Sequence, residues 1–361
     1  MFLSEINLNN FRNFLQANLN FDNHCNIFYG PNGAGKTTIL EAIYYLVLGR
    51  SFRSHLIRRI ISHGAKEFVL HGIIQNNLHQ ISIGTTRSLL YGKQLKISGK
   101  TEDSNLDIIK LLPIQLLNYD SYLLLNGGSI IRRQLIDWGL FHVKPSFLVL
   151  WKRVASLLKQ RNAAIKERAR PDYIRIWDKE LTISGTELHK LRSEYVATLI
   201  PIVNDILQKL LADFTINISY YPGWDFDKTL MAALTESLKC DLNLGYTTIG
   251  PQRADLFIKI GDGLARDYLS RGQQKVAVYA LQIAQGILLH NHSRKSCIYL
   301  IDDLLAELDW QKSSILVELL LAKDFIQTFF TGLELASLNE LFAKTIGSKK
   351  IFSIKHNIIS C

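Results

Sequence analysis

Apolar residues occur along this 361-residue chain with two spacings, one typical of strands and one typical of helices. They alternate with polar residues over residues 3–8 and 15–21, and short strand patterns recur at 68–74, 79–83 and 89–97. Alternation of this kind places every second side chain on one face of a sheet. The N-terminal part of the chain therefore predicts a small antiparallel sheet.

A helical spacing begins at about residue 129 and continues to residue 214, where apolar residues recur three and four positions apart. Lysines and arginines lie between them and give the predicted helices a basic face. That face is either an ordinary solvated surface or a surface for DNA, and only the sign of its charge favours DNA. Residues 241–256 contain Gly245, Gly250 and Pro251, which predict an irregular return to the first part of the fold.

These patterns predict an α/β protein with two lobes. One lobe is assembled from both ends of the chain, residues 1–125 and 245–361, and contains a mixed sheet with an antiparallel β subdomain. The other lobe, residues 126–244, is inserted between them and is mainly helical.

A phosphate-binding loop is predicted between a buried strand at residues 26–29 and a helix at 38–48. It matches the pattern G-x-x-x-x-G-K-[ST] at every fixed position, with the residues Gly30, Pro31, Asn32, Gly33, Ala34, Gly35, Lys36 and Thr37, followed by Thr38. Glycines allow the backbone to turn its N–H groups towards phosphate oxygens, and the helix start adds a positive dipole end. We expect Lys36 to reach the β- and γ-phosphates and the Thr37 hydroxyl to bind Mg²⁺.

A second set of residues, far along the chain, completes the predicted site. Ser270, Gly272 and Gln273 stand at the start of a predicted helix, where they form a second anion-binding terminus. A buried apolar strand is predicted to end at Asp302 and Asp303. We expect Asp302 to hold Mg²⁺ through water and Asp303 to orient the water that attacks the γ-phosphate. The alternative is that the two aspartates only cap the next helix.

Composition adds a polyanion as a candidate partner, because the net charge is +10 and the pI is about 9.3. One short window is especially basic and suits either phosphate-backbone contacts or a solvated loop; its arginines are Arg50, Arg53, Arg58 and Arg59. The four cysteines are far apart, which argues against a zinc or redox motif and suits a reducing cytosol. Neither a signal peptide nor an apolar run of membrane-spanning length is present, so the sequence predicts a soluble, cytoplasmic protein.

The phosphate loop, the Leu269-Ser270-Arg271-Gly272-Gln273 run and the strand before Asp302-Asp303 together resemble the ATPase heads of the ABC type in the SMC-like group. The gap between Thr37 and Leu269 is longer than in a transporter ATPase subunit and far shorter than in an SMC protein. This spacing resembles that of the RecF family, a group of DNA replication and repair ATPases, and the likeness extends over essentially the whole chain. Further matching segments are Phe11-Arg12-Asn13, Gly49 to Ser54, Leu125 to Gly128, Arg132-Arg133, Leu158 to Asn162, Trp177 to Leu181, Gly250 to Arg253 and Glu307 to Asp309.

The resemblance implies a P-loop ATPase lobe with ATP and Mg²⁺ as cofactors, catalytic roles for Lys36 and Asp303, and metal binding by Thr37 and Asp302. In heads of this type the signature residues, here Ser270, Gly272 and Gln273, cap ATP that is held by a second subunit. The family therefore implies an ATP-dependent homodimer. It also implies binding of single- and double-stranded DNA without strong sequence preference, and work with RecO and RecR to load RecA at gaps in damaged DNA.

The sequence departs from the common ABC pattern at two positions. Asp303 stands where transporters usually carry glutamate, so we expect slow ATP turnover, as in a switch. Thr331 stands near the usual position of a histidine, so no catalytic histidine is assigned. Either Gln115 or Asp120 is expected to sense the metal and the γ-phosphate. Two alternatives remain at this point: a transporter ATPase subunit, and a clamp that binds ATP and hardly hydrolyses it.

Overall fold

The computed structural model describes residues 1–76, 79–355 and 357–360. The chain forms two compact units, one made of Met1–Ser121 together with Leu289–Cys361 and one made of Tyr122–Leu288. The first unit is therefore assembled from both ends of the chain, and the second unit is inserted between them.

The first unit contains an antiparallel sheet built from the N-terminal strand patterns. Its strands, in the order β2-β1-β4-β5-β6-β7, are β1 (Phe2–Phe11), β2 (Phe14–Asn20), β4 (Glu67–Gln75), β5 (Gln80–Ser88), β6 (Gly92–Ile97) and β7 (Lys100–Thr101). In β1, Leu3, Ile6 and Leu8 are buried on one face, while Asn7 and Asn9 lie on the other, where they pair across to Asn18 and Gln16. The predicted antiparallel subdomain is thus present.

A second, mixed sheet forms the centre of the first unit. Its strands, in the order β15-β14-β3-β13-β12-β8, are β3 (Cys25–Tyr29), β8 (Ile114–Leu117), β12 (Cys297–Ile301), β13 (Ile326–Gly332), β14 (Lys349–Lys355) and β15 (Ile358–Ser360). All neighbours are parallel except β14 and β15. Every residue of β12 and β13 is buried, which explains why β12 is a continuous apolar run in the sequence.

The first unit also contains five α-helices among its described residues: α1 (Lys36–Leu48), α2 (Leu106–Leu111), α10 (Leu304–Glu307), α11 (Trp310–Leu321) and α12 (Leu335–Leu341). Helix α1 is buried along most of its length, and it ends at Gly49, which adopts the left-handed conformation favoured at a helix C-terminus. The helix that the sequence predicts after the phosphate loop therefore lies in the core of this unit.

The second unit is mainly helical, as the spacing of its apolar residues predicts. Its helices are α3 (Leu123–Asn126), α4 (Ser129–Val143), α5 (Phe147–Lys166), α6 (Pro171–Leu210), α7 (Leu230–Leu244), α8 (Ala265–Tyr268) and the greater part of α9 (Arg271–Ser293). It also contains a small antiparallel sheet in the order β11-β10-β9, made of β9 (Ile216–Tyr221), β10 (Asp255–Ile260) and β11 (Gly263–Leu264).

The far boundary of the inserted unit lies after Leu288 and not after residue 244 as the sequence predicts. One cause is strand pairing that is distant in sequence: β10 is hydrogen-bonded along its whole length to β9, from Asp255 opposite Tyr221 to Ile260 opposite Ile216. This pairing makes residues 255–260 part of the inserted unit. The near boundary, between Ser121 and Tyr122, lies close to the predicted one.

A buried ionic cluster fixes the loop that follows α7. The guanidinium of Arg161 donates to Asp178 at 2.6 Å, to Asp241 at 2.6 Å and to the Thr247 hydroxyl at 2.8 Å. Arg161, Asp178 and Asp241 are each at most 1% exposed. Because buried charges are tolerated only when they are paired, this cluster constrains α5, α6 and α7 to one arrangement.

Three cysteines lie in the described part of the chain, and all three are free: Cys25 and Cys297 are buried, and Cys240 is exposed. The fourth, Cys361, lies outside the described residues.

Candidate functional site

The predicted phosphate loop connects β3 to α1 and turns tightly between them. Gly30 has a φ of 153°, and a Cβ there would lie 2.1 Å from the carbonyl oxygen of Ile354, so no side chain fits. Gly35, at φ 111°, precedes the first residue of α1 and lies against the ring of Phe14. Gly30 is therefore required by the close approach of a neighbouring strand, and Gly33, at φ 78°, is required by the turn.

The side chain of Lys36 folds back onto the phosphate loop. Its side chain is almost fully buried, and Nζ donates to the carbonyl oxygens of Gly30 at 2.8 Å and of Pro31 at 3.0 Å. Burial lowers the pKa of Lys36, while the nearby carboxylates of Asp303 and Asp302 act in the opposite direction. The amino group is thus held at the mouth of the loop, between backbone oxygens and two acidic side chains.

Thr37 and Asp302 meet although they are 265 positions apart in the sequence. The Thr37 hydroxyl donates to Oδ1 of Asp302 at 2.9 Å and lies 3.1 Å from Oδ2. Asp302 is positioned by the sheet, because its backbone N–H donates to the carbonyl of Leu117 at 2.9 Å directly after β12 ends. Burial raises the pKa of Asp302, and the hydrogen bonds from Thr331 and Thr37 partly offset this effect.

Asp303 occupies a strained position next to Asp302. Its φ and ψ are 46° and 50°, a left-handed conformation that few residues other than glycine adopt. Its backbone N–H donates to the Thr331 hydroxyl at 2.8 Å, and the same hydroxyl donates to Oδ1 of Asp302 at 2.8 Å. One threonine at the end of β13 therefore holds both aspartates.

A pocket of about 420 Å³ opens in front of the loop. Its lining residues come from the loop and the start of α1, from the turn after β1, from the segment after α1 and from the segment after β12: Arg12, Asn13, Asn32, Gly33, Gly35, Lys36, Thr37, Thr38, Arg53, Arg59, Ile61 and Asp303. Four of these side chains carry positive charge, against a single carboxylate, so the pocket suits an anionic ligand.

Glu41, a residue that sequence reasoning did not single out, anchors two of the pocket arginines. It lies on α1, its side chain is fully buried, and its carboxylate accepts from Arg12 Nη2 at 2.6 Å and from Arg53 at 3.4 Å. Arg12 also donates to the backbone carbonyl of Arg59 at 2.6 Å. The signal available in the sequence was a lone glutamate among the apolar residues of α1.

The two candidates for a sensing residue lie in different environments. Gln115 is buried within β8, opposite Tyr299 of β12. Asp120 is exposed, three residues beyond the end of β8. Neither is among the described residues that line the pocket, so the choice between them stays open.

The signature residues lie in the second unit at the start of α9. Ser270 Oγ accepts from the backbone N–H of Gln273 at 3.4 Å, while the Gln273 side chain accepts from the backbone N–H of Ser270 at 2.8 Å. This reciprocal arrangement is a capping box, which ends a helix by pairing its free N–H groups. Ser270 is exposed, and a Cβ at Gly272 would meet no atom within 4 Å, so this helix start is open to an approaching group.

Of the predicted site residues, the structure brings together the loop from Gly30 to Thr38 with Asp302 and Asp303, all within the first unit. Within the described residues, no helix is both long and apolar enough to cross a membrane.

A mixed sheet with a phosphate loop, a strand ending in two aspartates and an inserted helical unit defines an ATPase head of the ABC type, the class shared by RecF and SMC proteins. The family model described as "RecF/RecN/SMC N terminal domain" matches residues 2–354. The chain is 40% identical over 361 residues to the DNA replication and repair protein RecF of Psychromonas ingrahamii, covering 100% of this chain and 99% of that protein. It is 39% identical to RecF of Haemophilus influenzae, with the same coverage. The chain belongs to the RecF family.

Solved structures agree with this fold. The structure described as the recombination mediator protein RecF-ATP in the RecFOR pathway matches with a TM-score of 0.83 at 24% identity, over 99% of this chain and 97% of that chain. An Smc head bound to the C-terminal winged-helix domain of ScpA matches with a TM-score of 0.63 at 14% identity, over 99% and 96%. The family resemblance and the fold class predicted from the sequence are confirmed.

Proposed function

We propose that this RecF-family chain is an ATP-dependent DNA-binding protein of recombinational repair, in which ATP drives dimerisation and slow hydrolysis reverses it. The observation that carries the proposal is the contact of Asp302 with Thr37, a residue that lines the basic pocket at the phosphate loop. This contact joins the two halves of a nucleotide site that are widely separated in the sequence.

ATP fits the residues of this pocket. The loop supplies backbone N–H groups at the start of α1, and Lys36, Arg12, Arg53 and Arg59 supply positive charge. The triphosphate would lie along the loop, with Lys36 exchanging its two backbone carbonyls for phosphate oxygens. This exchange costs little because each partner is an oxygen acceptor.

Mg²⁺ fits the pair formed by Thr37 and Asp302, since this ion prefers oxygen ligands and keeps several waters or phosphate oxygens. Among the described residues no group of three or more His, Cys, Asp or Glu side chains is arranged to hold a metal. A site with one hydroxyl and one carboxylate therefore suits an ion whose remaining ligands are phosphate oxygens and water. Bound there, the ion would supply charge neutralisation at the phosphates.

The protein's own residues have separate roles in the proposed hydrolysis. Asp303 orients the attacking water and accepts its proton, and Thr331 fixes the backbone from which Asp303 extends. Because the aspartate side chain is one methylene shorter than glutamate, its carboxylate stands farther from the water, which favours slow turnover. Slow turnover suits a switch that stays closed while ATP remains bound.

The second half of the composite site would come from another copy of the chain. Ser270, Gly272 and Gln273 form an exposed helix start that offers N–H groups and a hydroxyl to the γ-phosphate. Two ATP molecules would then lie between two chains related by a two-fold axis. ATP stabilises the dimer because only the dimer offers both half-sites.

DNA is the proposed polyanionic partner, bound through its phosphates and without base readout. The support is the net charge of +10 and the membership of a family named for DNA replication and repair. On the same ground we propose cooperation with RecO and RecR in loading RecA at gaps, and a cytoplasmic location. A transporter ATPase subunit is disfavoured because the chain matches RecF proteins over its full length.

Light scattering of the purified protein with and without ATP and Mg²⁺ tests the proposal. We expect a monomer that becomes a dimer with ATP, and we expect Ser270→Arg to abolish the dimer while ATP still binds. Ser146→Arg is the matched control, since Ser146 is also an exposed serine that precedes a helix of the second unit. A mass that never changes, with ATP tightly bound, would show that this chain alone does not form the composite site.

A further inference from the structure

A groove along α5 in the second unit is not used by the proposed ATP switch. It consists of two adjoining pockets of about 250 and 610 Å³ that share Ala155, Leu158 and Gln252. We propose that this α5 groove binds an acidic amphipathic helix from a partner protein. The proposal concerns a face of the second unit and stands apart from nucleotide binding.

The floor of the α5 groove is apolar. Val154, Ala155, Leu158 and Ala163 line it, and Trp151 stands at one end with 42% of its surface exposed. Ile130 of α4, at 62% exposed, lies at the same end. Large apolar side chains that remain this exposed in a concave site are typical of a surface that is covered by a partner.

The charge of the α5 groove is positive. Its lining contains Arg133, Lys159, Lys166 and Arg192, against one carboxylate, Asp137. That carboxylate is already neutralised, because Arg192 holds it through two hydrogen bonds of 2.8 Å. Within the described part of the chain, Lys159 and Lys166 form no salt bridge, so both are available to acidic residues of a partner.

The length of the groove sets the size of the partner segment. From Trp151 to Lys166 the helix rises about 22 Å, at about 1.5 Å per residue, which corresponds to about four turns of a second helix. A helix laid along it would place residues three and four apart on the apolar floor and acidic residues towards the lysines. An amphipathic helix therefore matches both the apolar floor and the basic rim of the groove, which is formed by Lys159 and Lys166.

Nucleic acid matches the groove less well than a peptide does. DNA offers phosphates and base faces, which would satisfy the lysines but would leave an aliphatic floor such as Leu158 and Val154 without apolar contacts. A protein segment supplies leucine-like side chains and carboxylates together. The apolar floor thus favours a protein segment over DNA as the partner, and DNA binding is one of the outcomes that the test distinguishes.

The test uses the full-length protein labelled with 5-fluorotryptophan and three 18-residue probe peptides. The first has leucines at helical spacing with glutamates elsewhere, the second replaces its glutamates by lysines, and the third keeps the first composition in scrambled order. The ¹⁹F signal of Trp151 is assigned with Trp151→Phe. We expect only the first peptide to bind and to shift this signal, because it alone has both the apolar face and the acidic rim.

Variants with matched controls locate the binding site. Leu158→Glu on the floor should weaken peptide binding about tenfold or more, the loss of about 1.4 kcal/mol or more that accompanies a buried anchor. Lys159→Glu on the rim should weaken it about two- to fivefold. Ser156→Glu and Lys152→Glu, exposed positions of α5 that do not line the groove, should leave it unchanged. Thermal unfolding confirms that each variant is folded, and ATP-dependent dimerisation should persist in all of them.

Three results would overturn the proposal. The first is the absence of binding by the acidic peptide, or binding that Leu158→Glu leaves unchanged. The second is a shift of the Trp151 signal by a 20-base-pair duplex together with weaker DNA binding by Lys159→Glu, which would make the groove a nucleic-acid surface. The third is self-association without ATP that Leu158→Glu abolishes, which would show that a second copy of the chain covers the groove.

Discussion

The hydroxyl of Thr331 donates a hydrogen bond of 2.8 Å to Oδ1 of Asp302. The Thr331 hydroxyl oxygen also accepts the backbone N–H of Asp303, and the Thr37 hydroxyl donates a second hydrogen bond to Asp302. Asp302 is therefore a half-buried carboxylate held by two hydroxyl groups. Without a bound cation, its negative charge is compensated mainly by hydrogen bonds, which makes it a costly group in the nucleotide-free protein.

Asp302→Asn should make the nucleotide-free protein more stable at neutral pH. Burial raises the pKa of Asp302 above its ordinary value of 3.8, so the folded state binds this proton more readily than the unfolded state does. The contribution of protonated Asp302 to the free energy of unfolding is fully present below its ordinary pKa. It is lost as the pH rises through the pKa that Asp302 has in the folded protein. The amide of the Asp302→Asn variant does not ionise, so the variant keeps its stability as the pH rises. Urea unfolding from pH 4 to pH 7 measures the effect.

The same variant should lose the extra stability that Mg²⁺ and ATP give to the wild-type protein, because the amide is a poor ligand for this ion. Thr328→Val, on the neighbouring strand β13 and buried away from the pocket, serves as a control for general effects on this sheet. A wild-type protein that is less stable than Asp302→Asn at pH 4 but equal to it at pH 7 would contradict the assigned direction of the pKa shift.

Lys36→Met should weaken ATP binding about tenfold to a hundredfold, since a charge-assisted hydrogen bond contributes about 1.5–3 kcal/mol. The side chain of Met keeps the apolar stem of Lys36, so the loop should remain folded. Isothermal titration with ATP measures the change. Lys66→Met removes an exposed lysine of the same unit and should have no effect. If DNA binding keeps its dependence on ATP in Lys36→Met, the assignment of the nucleotide site is wrong.

Much of the geometry of the candidate nucleotide site could be predicted from the sequence because its parts are local. The phosphate loop, the helix that follows it and the strand before Asp302 each carry their signal within a few consecutive residues. The contact of Thr331 with Asp302 carries no such local signal, and the position of Glu41 on α1 does not show which arginines it pairs with. Thr331 reaches Asp302 only because β12 and β13 are parallel neighbours with Ile301 opposite Phe330.

The same reason explains the boundary of the inserted unit. Residues 241–256 contain glycine and proline, which predict an irregular connection back to the first unit. The pairing of β10 with β9 is a contact between distant segments, and single-sequence periodicity does not report it. Helix patterns in this unit were predictable, whereas the register of its small sheet was not.

Glu41→Gln should destabilise the first unit by about 3 kcal/mol, the usual cost of breaking a buried ion pair by removing one partner. Glu41 is the common acceptor for Arg12 and Arg53, and its side chain is fully buried. Without its charge, two arginines of the pocket lose their anchor, so ATP affinity should also fall. Urea unfolding and ATP titration measure the two effects. Glu67→Gln, at an exposed position of β4, is the control. Unchanged stability would mean that the arginines are held by other contacts.

Arg161→Met should destabilise the second unit by about 3–5 kcal/mol, because it leaves Asp178 and Asp241 as buried carboxylates without their cation. Methionine retains much of the arginine stem, so the loss arises from charge and hydrogen bonding more than from a cavity. The matched variant is Arg153→Met, on the same helix, which breaks an ion pair with Glu180 in which both side chains are about half exposed. That variant should lose less than about 1 kcal/mol.

Hydrogen exchange, read by mass spectrometry, locates the effect of Arg161→Met. Amides of α5, α6 and α7 should exchange faster, while those of β12 and β13 in the first unit should keep their protection. If both arginine variants cost the same, the buried cluster adds nothing beyond an exposed ion pair, and its constraint on the loop at Thr247 must come from packing. A large cost confined to Arg161→Met shows instead that one charged side chain holds three helices and the Thr247 loop in register.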